Sequence, residues 1–227
     1  MEHFQQELTA LKELLLAMAS HAEAAVEGAV EAVLTRNEQL AMKVRNSDEV
    51  IDRYEIEVDE VSIRLLAKAP LATDLRFIAV SMKISQNLER VGDEATKIAK
   101  RARDLIQDPP LKLALPVREI ADLSLRMLKT ALDAFVNRDA ASARALIPED
   151  KKVDALNKEM HRLLTARMLE DPGAISRCLH LMVVVKSLER IADHAKNVAE
   201  EVVYLCEAED IRHLGRSTVP STGLPAS

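Results

Sequence analysis

The chain has 227 residues, enough to bury a substantial core, and carries a formal charge of -6 at neutral pH. Net acidity argues against nonspecific nucleic-acid binding, which needs a basic face to displace counterions, and suits cations or basic partner surfaces instead. Two Tyr, three Phe, no Trp and five Gly, in a sequence dominated by Ala, Leu, Glu, Lys and Arg, describe an all-α protein. Cys178 and Cys206 are isolated thiols in a chain too large to need a covalent staple, which reads as reduced cysteine. The opening Met1-Glu2-His3-Phe4 has no basic segment, and the apolar runs at 14–16 and 181–185 are far short of a membrane span. The expectation is a cytoplasmic protein, neither exported nor inserted.

Six helices are predicted from the apolar spacing and its breakers. The first covers about 3–36, with Leu8, Leu11, Leu15, Met18, Ala22 and Val26 at heptad-like steps, and loosens near Asn37. Ser47-Asp48-Glu49, acids suited to a helix N-terminus, opens the second, which turns Ile51, Tyr54, Val58, Val61 and Leu65 inward and stops at Pro70. The third runs to about Ile106, with Ile84, Leu88, Val91, Ala95, Ile98 and Leu105 on one face, and Asp108-Pro109-Pro110 closes it. A fourth spans about 117–137. Ile147-Pro148-Glu149-Asp150 starts a fifth, which runs to about Leu169, and Asp171-Pro172-Gly173 turns the chain into a sixth over about 175–213. The implied organisation is two tandem three-helix bundles, 1–110 and 111–214, followed by a disordered tail of Ser, Thr, Gly and Pro over 215–227.

The plan is a duplication. Leu88-Glu89-Arg90-Val91-Gly92-Asp93-Glu94-Ala95 recurs one hundred positions later as Leu188-Glu189-Arg190-Ile191-Ala192-Asp193-His194-Ala195. Each copy carries a carboxylate pair four residues apart, an arrangement that costs a few tenths of a kcal/mol in a helix, so its repetition invites a reason other than stability. At about 100° per residue, Glu89 and Asp93 fall opposite the apolar arc of their helix, as do Glu189 and Asp193, and face outward. Asp48 and Asp52 on the second helix, and Asp150 and Asp154 on the fifth, are again four apart. In an antiparallel hairpin, residues equidistant from the turn lie level. Asp48 precedes the Pro70 turn by as much as Asp93 follows it, and so do Asp52 and Glu89; Asp150 with Asp193 and Asp154 with Glu189 stand the same way about Pro172.

Helices in such a hairpin pack about 8 to 10 Å apart, so seam-flanking carboxylates can converge on ions. Two four-carboxylate metal sites are therefore expected: Asp48, Asp52, Glu89 and Asp93 in one half, and Asp150, Asp154, Glu189 and Asp193 in the other. Oxygen donors favour Mg, Mn, Ca or Fe, and His194 beside Asp193 admits Zn, Fe or Ni at the second site. The competing explanation is a solvated acidic face, with Asp48, Asp52, Asp150 and Asp154 attracted to helix N-termini by the dipole alone. No His follows a Glu by three positions, as a ferritin-like di-iron centre requires, and no phosphate loop, Cys-x-x-Cys, His-Glu-x-x-His or Gly-x-Ser-x-Gly is present. His3, His21, His161 and His180 are scattered without a partner suggesting catalysis, so the chain is not read as an enzyme. A helical-bundle metal store or metal-dependent enzyme stays open as the alternative, with a purely structural scaffold behind it.

Several motifs together carry a family resemblance: Ala69-Pro70-Leu71-Ala72-Thr73-Asp74-Leu75-Arg76, Leu88 to Asp93, Glu149-Asp150-Lys151-Lys152-Val153-Asp154, Leu188 to Asp193, and Asp210-Ile211-Arg212-His213. In order and separation, over roughly 3–215, the chain resembles the phosphate-specific transport system accessory protein family, PhoU. The resemblance implies two three-helix bundles and metal ions (Fe, Zn, Mn or Mg, singly or as multinuclear clusters) at the eight carboxylates named above. It also implies negative regulation of phosphate uptake and of the phosphate-starvation response, through the cytoplasmic subunits of the phosphate ABC transporter and a two-component sensor histidine kinase. A homodimer is implied as well, touching the membrane only through partners and binding no nucleic acid. Where several members have Asp-His and a downstream Asn, the first repeat has Glu94 and Lys97. Lys97, one turn past Asp93, is expected to neutralise a ligand there and make the first site the weaker.

Overall fold

The computed structural model describes residues 2–68, 71–111, 113 and 115–212. The Pro70 turn and the 215–227 tail lie outside them. Seven α-helices follow in order: α1 (Glu2–Thr35), α2 (Glu38–Leu66), α3 (Ala72–Ile106), α4 (Val117–Asn137), α5 (Ala140–Leu146), α6 (Asp150–Glu170) and α7 (Ile175–Glu207). Single 3-10 turns at Ile147–Glu149 and Pro172–Ala174 complete the described secondary structure, which contains no strand.

The second helix starts about ten residues before Ser47-Asp48-Glu49. Its N-cap is Asn37, whose side-chain oxygen accepts from the Leu40 N–H at 3.0 Å, while Arg36 takes a left-handed φ of 56° to turn the chain after α1. The second repeat uses the same device. Arg138 (φ 51°) precedes Asp139, whose carboxylate accepts from the Ser142 N–H at 3.0 Å and from its hydroxyl at 2.6 Å, starting a helix absent from the sequence reading, α5. Pro148 then lacks the N–H and crowds the preceding turn, so what is one continuous helix in the first repeat becomes α5, a 3-10 turn and α6 in the second. Replacing Asp139 with Ala is expected to destabilise the start of α5, read as a lowered denaturant midpoint at unchanged slope.

At the far end, Ala208 adopts φ 59° and its N–H bonds to Tyr204 O, so the last helix ends at Glu207 rather than near 213. Arg212 folds back to Glu201 at 3.0 Å.

α3 and α7 lie side by side and antiparallel, shown by Lys83 reaching Glu201 and Arg101 reaching His180. α2 flanks α3, α6 flanks α7, and α1 and α4 cover the back. The apolar stripes read from sequence are inside: Leu11, Leu15, Met18 and Val26 of α1, Ile84, Leu88, Val91 and Ile98 of α3, and Val184, Leu188, Ile191 and Val198 of α7 are fully buried. The buried residues of both repeats form one hydrophobic cluster, so the two bundles share a core along the α3–α7 seam. Cys178 is buried, Cys206 half-buried, and both are free thiols. Among the described residues, no helix is long and apolar enough to cross a membrane.

Candidate functional site: two carboxylate seams

In the first repeat α2 carries Asp48 and Asp52, and α3 carries Glu89 and Asp93, along the seam where the helices meet. Because α2 starts at Glu38, Asp48 and Asp52 sit well inside the helix, and the N-terminal dipole does not account for them. Asp150 does stand in the first turn of α6. Gly92 sets the approach of α2 to α3: a Cβ there would come 2.8 Å from Ile51 Cδ1 and 3.7 Å from Asp48 Oδ1. The acids feel one another. Burial raises the Asp48 carboxyl above its usual range, a hydrogen bond from Thr96 opposes the rise, and the charges of Asp52 and Asp93 add to it. Burial, then Asp93, raises Glu89, and Arg90 partly offsets this. The Arg90 guanidinium lies 3.2 Å from Glu89 and 3.4 Å from Asp93.

Glu55 belongs to the same seam. It lines a cleft with Gln86, Asn87, Glu89 and Arg90, and burial followed by the charges of Asp59 and Asp52 raises its carboxyl. The sequence reading missed it, although its spacing of three from Asp52 places both on one helix face.

In the second repeat Asp150 is only 7% exposed. Its Oδ2 accepts from Lys196 Nζ at 2.9 Å, and among the described residues its buried Oδ1 has no hydrogen-bond partner. Asp154 lines a cleft with Asp150, Lys151, Arg144 and Lys196. Burial, then Asp150 and Glu189, pushes Asp193 up. Glu189 accepts from Lys186 Nζ at 2.7 Å through one oxygen and from the Asn157 amide through the other.

Three expectations change. The carboxylates do not face freely outward: Asp150 is buried, Asp48, Glu89, Asp93, Asp154, Glu189 and Asp193 are half-buried, and of the eight only Asp52 is exposed. A single-helix wheel omits the flanking helix that covers the seam. His194 turns across the α3–α7 boundary, its Nδ1 3.0 Å from Asn87 Oδ1, and burial lowers its pKa. Lys97 does not neutralise Asp93. Its Nζ lies 2.9 Å from Glu94 Oε1, an oxygen that Arg190 also reaches at 3.1 Å, because the buried Glu94 (4% exposed) is the stronger attractor at the repeat boundary. As they stand, no three His, Cys, Asp or Glu side chains among the described residues converge closely enough to hold an ion. The seams bring the carboxylates into electrostatic contact without closing them on a point.

A family model for the PhoU domain matches the chain twice, over residues 15–102 and 117–202. The phosphate-specific transport system accessory protein PhoU homolog of Pseudomonas putida is 42% identical over 216 residues, spanning 94% of this chain and 84% of the relative. The crystal structure of PhoU from Pseudomonas aeruginosa has a TM-score of 0.88 at 41% identity, covering 91% of this chain and 100% of that one. The phosphate transport system regulatory protein PhoU from Streptococcus pneumoniae has a TM-score of 0.84 at 27% identity, covering 92% and 99%. With both repeats matched and nearly the whole chain aligned, this protein belongs to the PhoU family.

Proposed function

We propose that this chain is an accessory protein of phosphate-specific transport: a cytoplasmic adaptor, without turnover, that restrains phosphate uptake and the starvation response when phosphate is plentiful. Its partners in this reading are the cytoplasmic subunits of the phosphate ABC transporter and the sensor histidine kinase of the phosphate regulon, and it acts as a homodimer. The link to phosphate transport is carried by relatives named as its accessory and regulatory proteins over nearly the full chain. None of these relatives is named as a metal store or an enzyme.

Metal ions at the two seams complete the reading, and the residues fit them. All eight carboxylates offer hard oxygen donors suited to Mg, Mn or Fe, and among the described residues the buried Asp150 Oδ1 is an acceptor without a donor. Gly92 keeps α2 packed closely on α3 beside Asp48, so the two rows border one seam on which their side chains would close around an ion. Asp48, Asp52, Glu89 and Asp93 would hold the first and Asp150, Asp154, Glu189 and Asp193 the second, with His194 a ligand only if its ring leaves Asn87. Bound cations would add positive charge to an acidic face, and the chain's own residues place and shield that charge for docking.

Tagged protein recovered from cells grown in high phosphate is expected to bring down transporter subunits and the histidine kinase, and to bring down less in low phosphate. Recovery of neither partner in either condition would reject the adaptor. A Glu189→Ala, Asp193→Ala variant is expected to lose the metal held at the second seam together with phosphate-dependent repression.

A further inference from the structure

Three repeat-equivalent positions beside the carboxylates set the two seams apart. In the register that pairs Asp48 with Asp150 and Glu89 with Glu189, Lys196 stands where the first repeat has Thr96, Lys186 where it has Gln86, and Asn157 where it has Glu55. All three touch the carboxylates. Thr96 gives Asp48 a neutral hydrogen bond, whereas Lys196 gives Asp150 an ion pair at 2.9 Å; Lys186 and Asn157 both donate to Glu189. The arginine present in both repeats also diverges: Arg90 stays on its own seam with Glu89 and Asp93, while Arg190 leaves to meet Glu94 across the repeat boundary.

We infer that the two seams are unequal cation sites: the first an open site with Glu55 as a fifth carboxylate, the second held by Lys196 as a built-in counter-ion that an incoming metal ion must displace. This rests on the metal-binding reading above and deepens it. Asp150 is more than nine-tenths buried and, among the described residues, one of its oxygens has no partner, so the ammonium satisfies only half of a carboxylate that stands with Asp154 at the same cleft. An ion entering there meets one free oxygen and one already engaged by a cation. An ion entering the first seam meets a single exposed cation, Arg90 beside Glu89 and Asp93, where the second seam has Lys196 and Lys186, and the extra acid at Glu55 shares the cleft with Glu89 and Arg90. The lysine also explains how the second seam tolerates a buried aspartate without an ion: the pair is compensated internally. In the first seam the exposed Arg90 offsets Glu89 and Asp93, while Asp48 faces the charges of Asp52 and Asp93 with only the neutral Thr96 as its partner.

Reciprocal exchange tests this in the full chain. Metal-free protein is titrated with manganese(II), and unbound ion is counted from its paramagnetic resonance signal. The wild type is expected to show a tight and a weak class of site. Thr96→Lys should weaken the tight class by about tenfold or more, and Lys196→Thr should strengthen the weak class by a similar factor. Glu55→Gln should weaken the tight class alone. Thr96→Lys leaves Asp150 compensated, so the test survives should Lys196→Thr fail to fold. Equivalent sites in the wild type, or exchanges that move neither class, overturn the inequality while leaving metal binding intact. Retention of no manganese by any form overturns the inference together with the metal reading.

Discussion

Adding a divalent cation to the metal-free protein is expected to raise its melting temperature, and to do so more strongly at neutral than at mildly acidic pH. An ion bound only by the folded state stabilises it by about 2.7 kcal/mol at a hundredfold excess over Kd, which for a chain of this size corresponds to roughly 5 to 10 °C. The pH dependence follows from Asp48, Glu55, Glu89 and Asp193, all held above their ordinary values first by burial and then by neighbouring acids, with Thr96 opposing the rise at Asp48. A carboxyl with a raised folded-state pKa binds its proton more tightly folded than unfolded. Ionising it therefore penalises folding above the folded value, and the penalty vanishes as pH falls through that value toward the unfolded 3.8 of Asp and 4.5 of Glu. Metal-free protein should thus gain stability from these groups on mild acidification. The cation competes with the same protons and loses its effect over the same window. Glu94 works in the opposite sense. Burial raises its carboxyl, but hydrogen bonds from Ser187, Lys97 and Arg190 outweigh burial and lower it, so its contribution is lost only as pH falls below 4.5 through the lowered value. An Asp93→Asn, Glu89→Gln variant is expected to show a smaller cation response in differential scanning calorimetry at neutral pH. A response of wild-type size would remove the first seam from the account.

Substituting Gly92 with Val is expected to destabilise the protein by about 2 to 3 kcal/mol and to lower cation affinity at the first seam. Gly92 is buried and already needs Ile51 to give way for a single Cβ at 2.8 Å; Ile51, 1% exposed, has little room to move. Two further methyl groups force α2 away from α3 and carry Asp48 and Asp52 from Glu89 and Asp93. Gly92→Ala is the informative control. It gains about 1 kcal/mol of helix propensity against the cost of one shifted methyl, and its net effect should stay within about 1 kcal/mol. The second repeat has Ala192 at the matching position, fully buried. Chemical denaturation of both variants, with and without manganese, separates lost packing from lost ion binding. Equal stability of Gly92→Val and wild type would mean that the close approach is not what holds the seam together.

How much was legible beforehand varied by element. The hairpin register was readable because i, i+4 acids level about Pro172 and Pro70 leave one antiparallel alignment. The start of α2 was misread because Ser47-Asp48-Glu49 mimics an N-terminal signal in mid-helix, while the true cap, Asn37, sits beside a left-handed arginine where a glycine would have marked the turn. α5 was missed for the same reason: Asp139 caps it after another left-handed arginine.

Composition, the hundred-residue repeat and the apolar periods determined by themselves that the protein is all-α, duplicated and lined with paired acids, since those properties depend only on residue type and spacing along one helix. Which cation meets which acid was decided only by the tertiary structure. Lys97 and Arg190 turn to the buried Glu94 and Lys196 turns to Asp150, because a long side chain has several acids within reach and settles on the one that burial has left most in need of a partner.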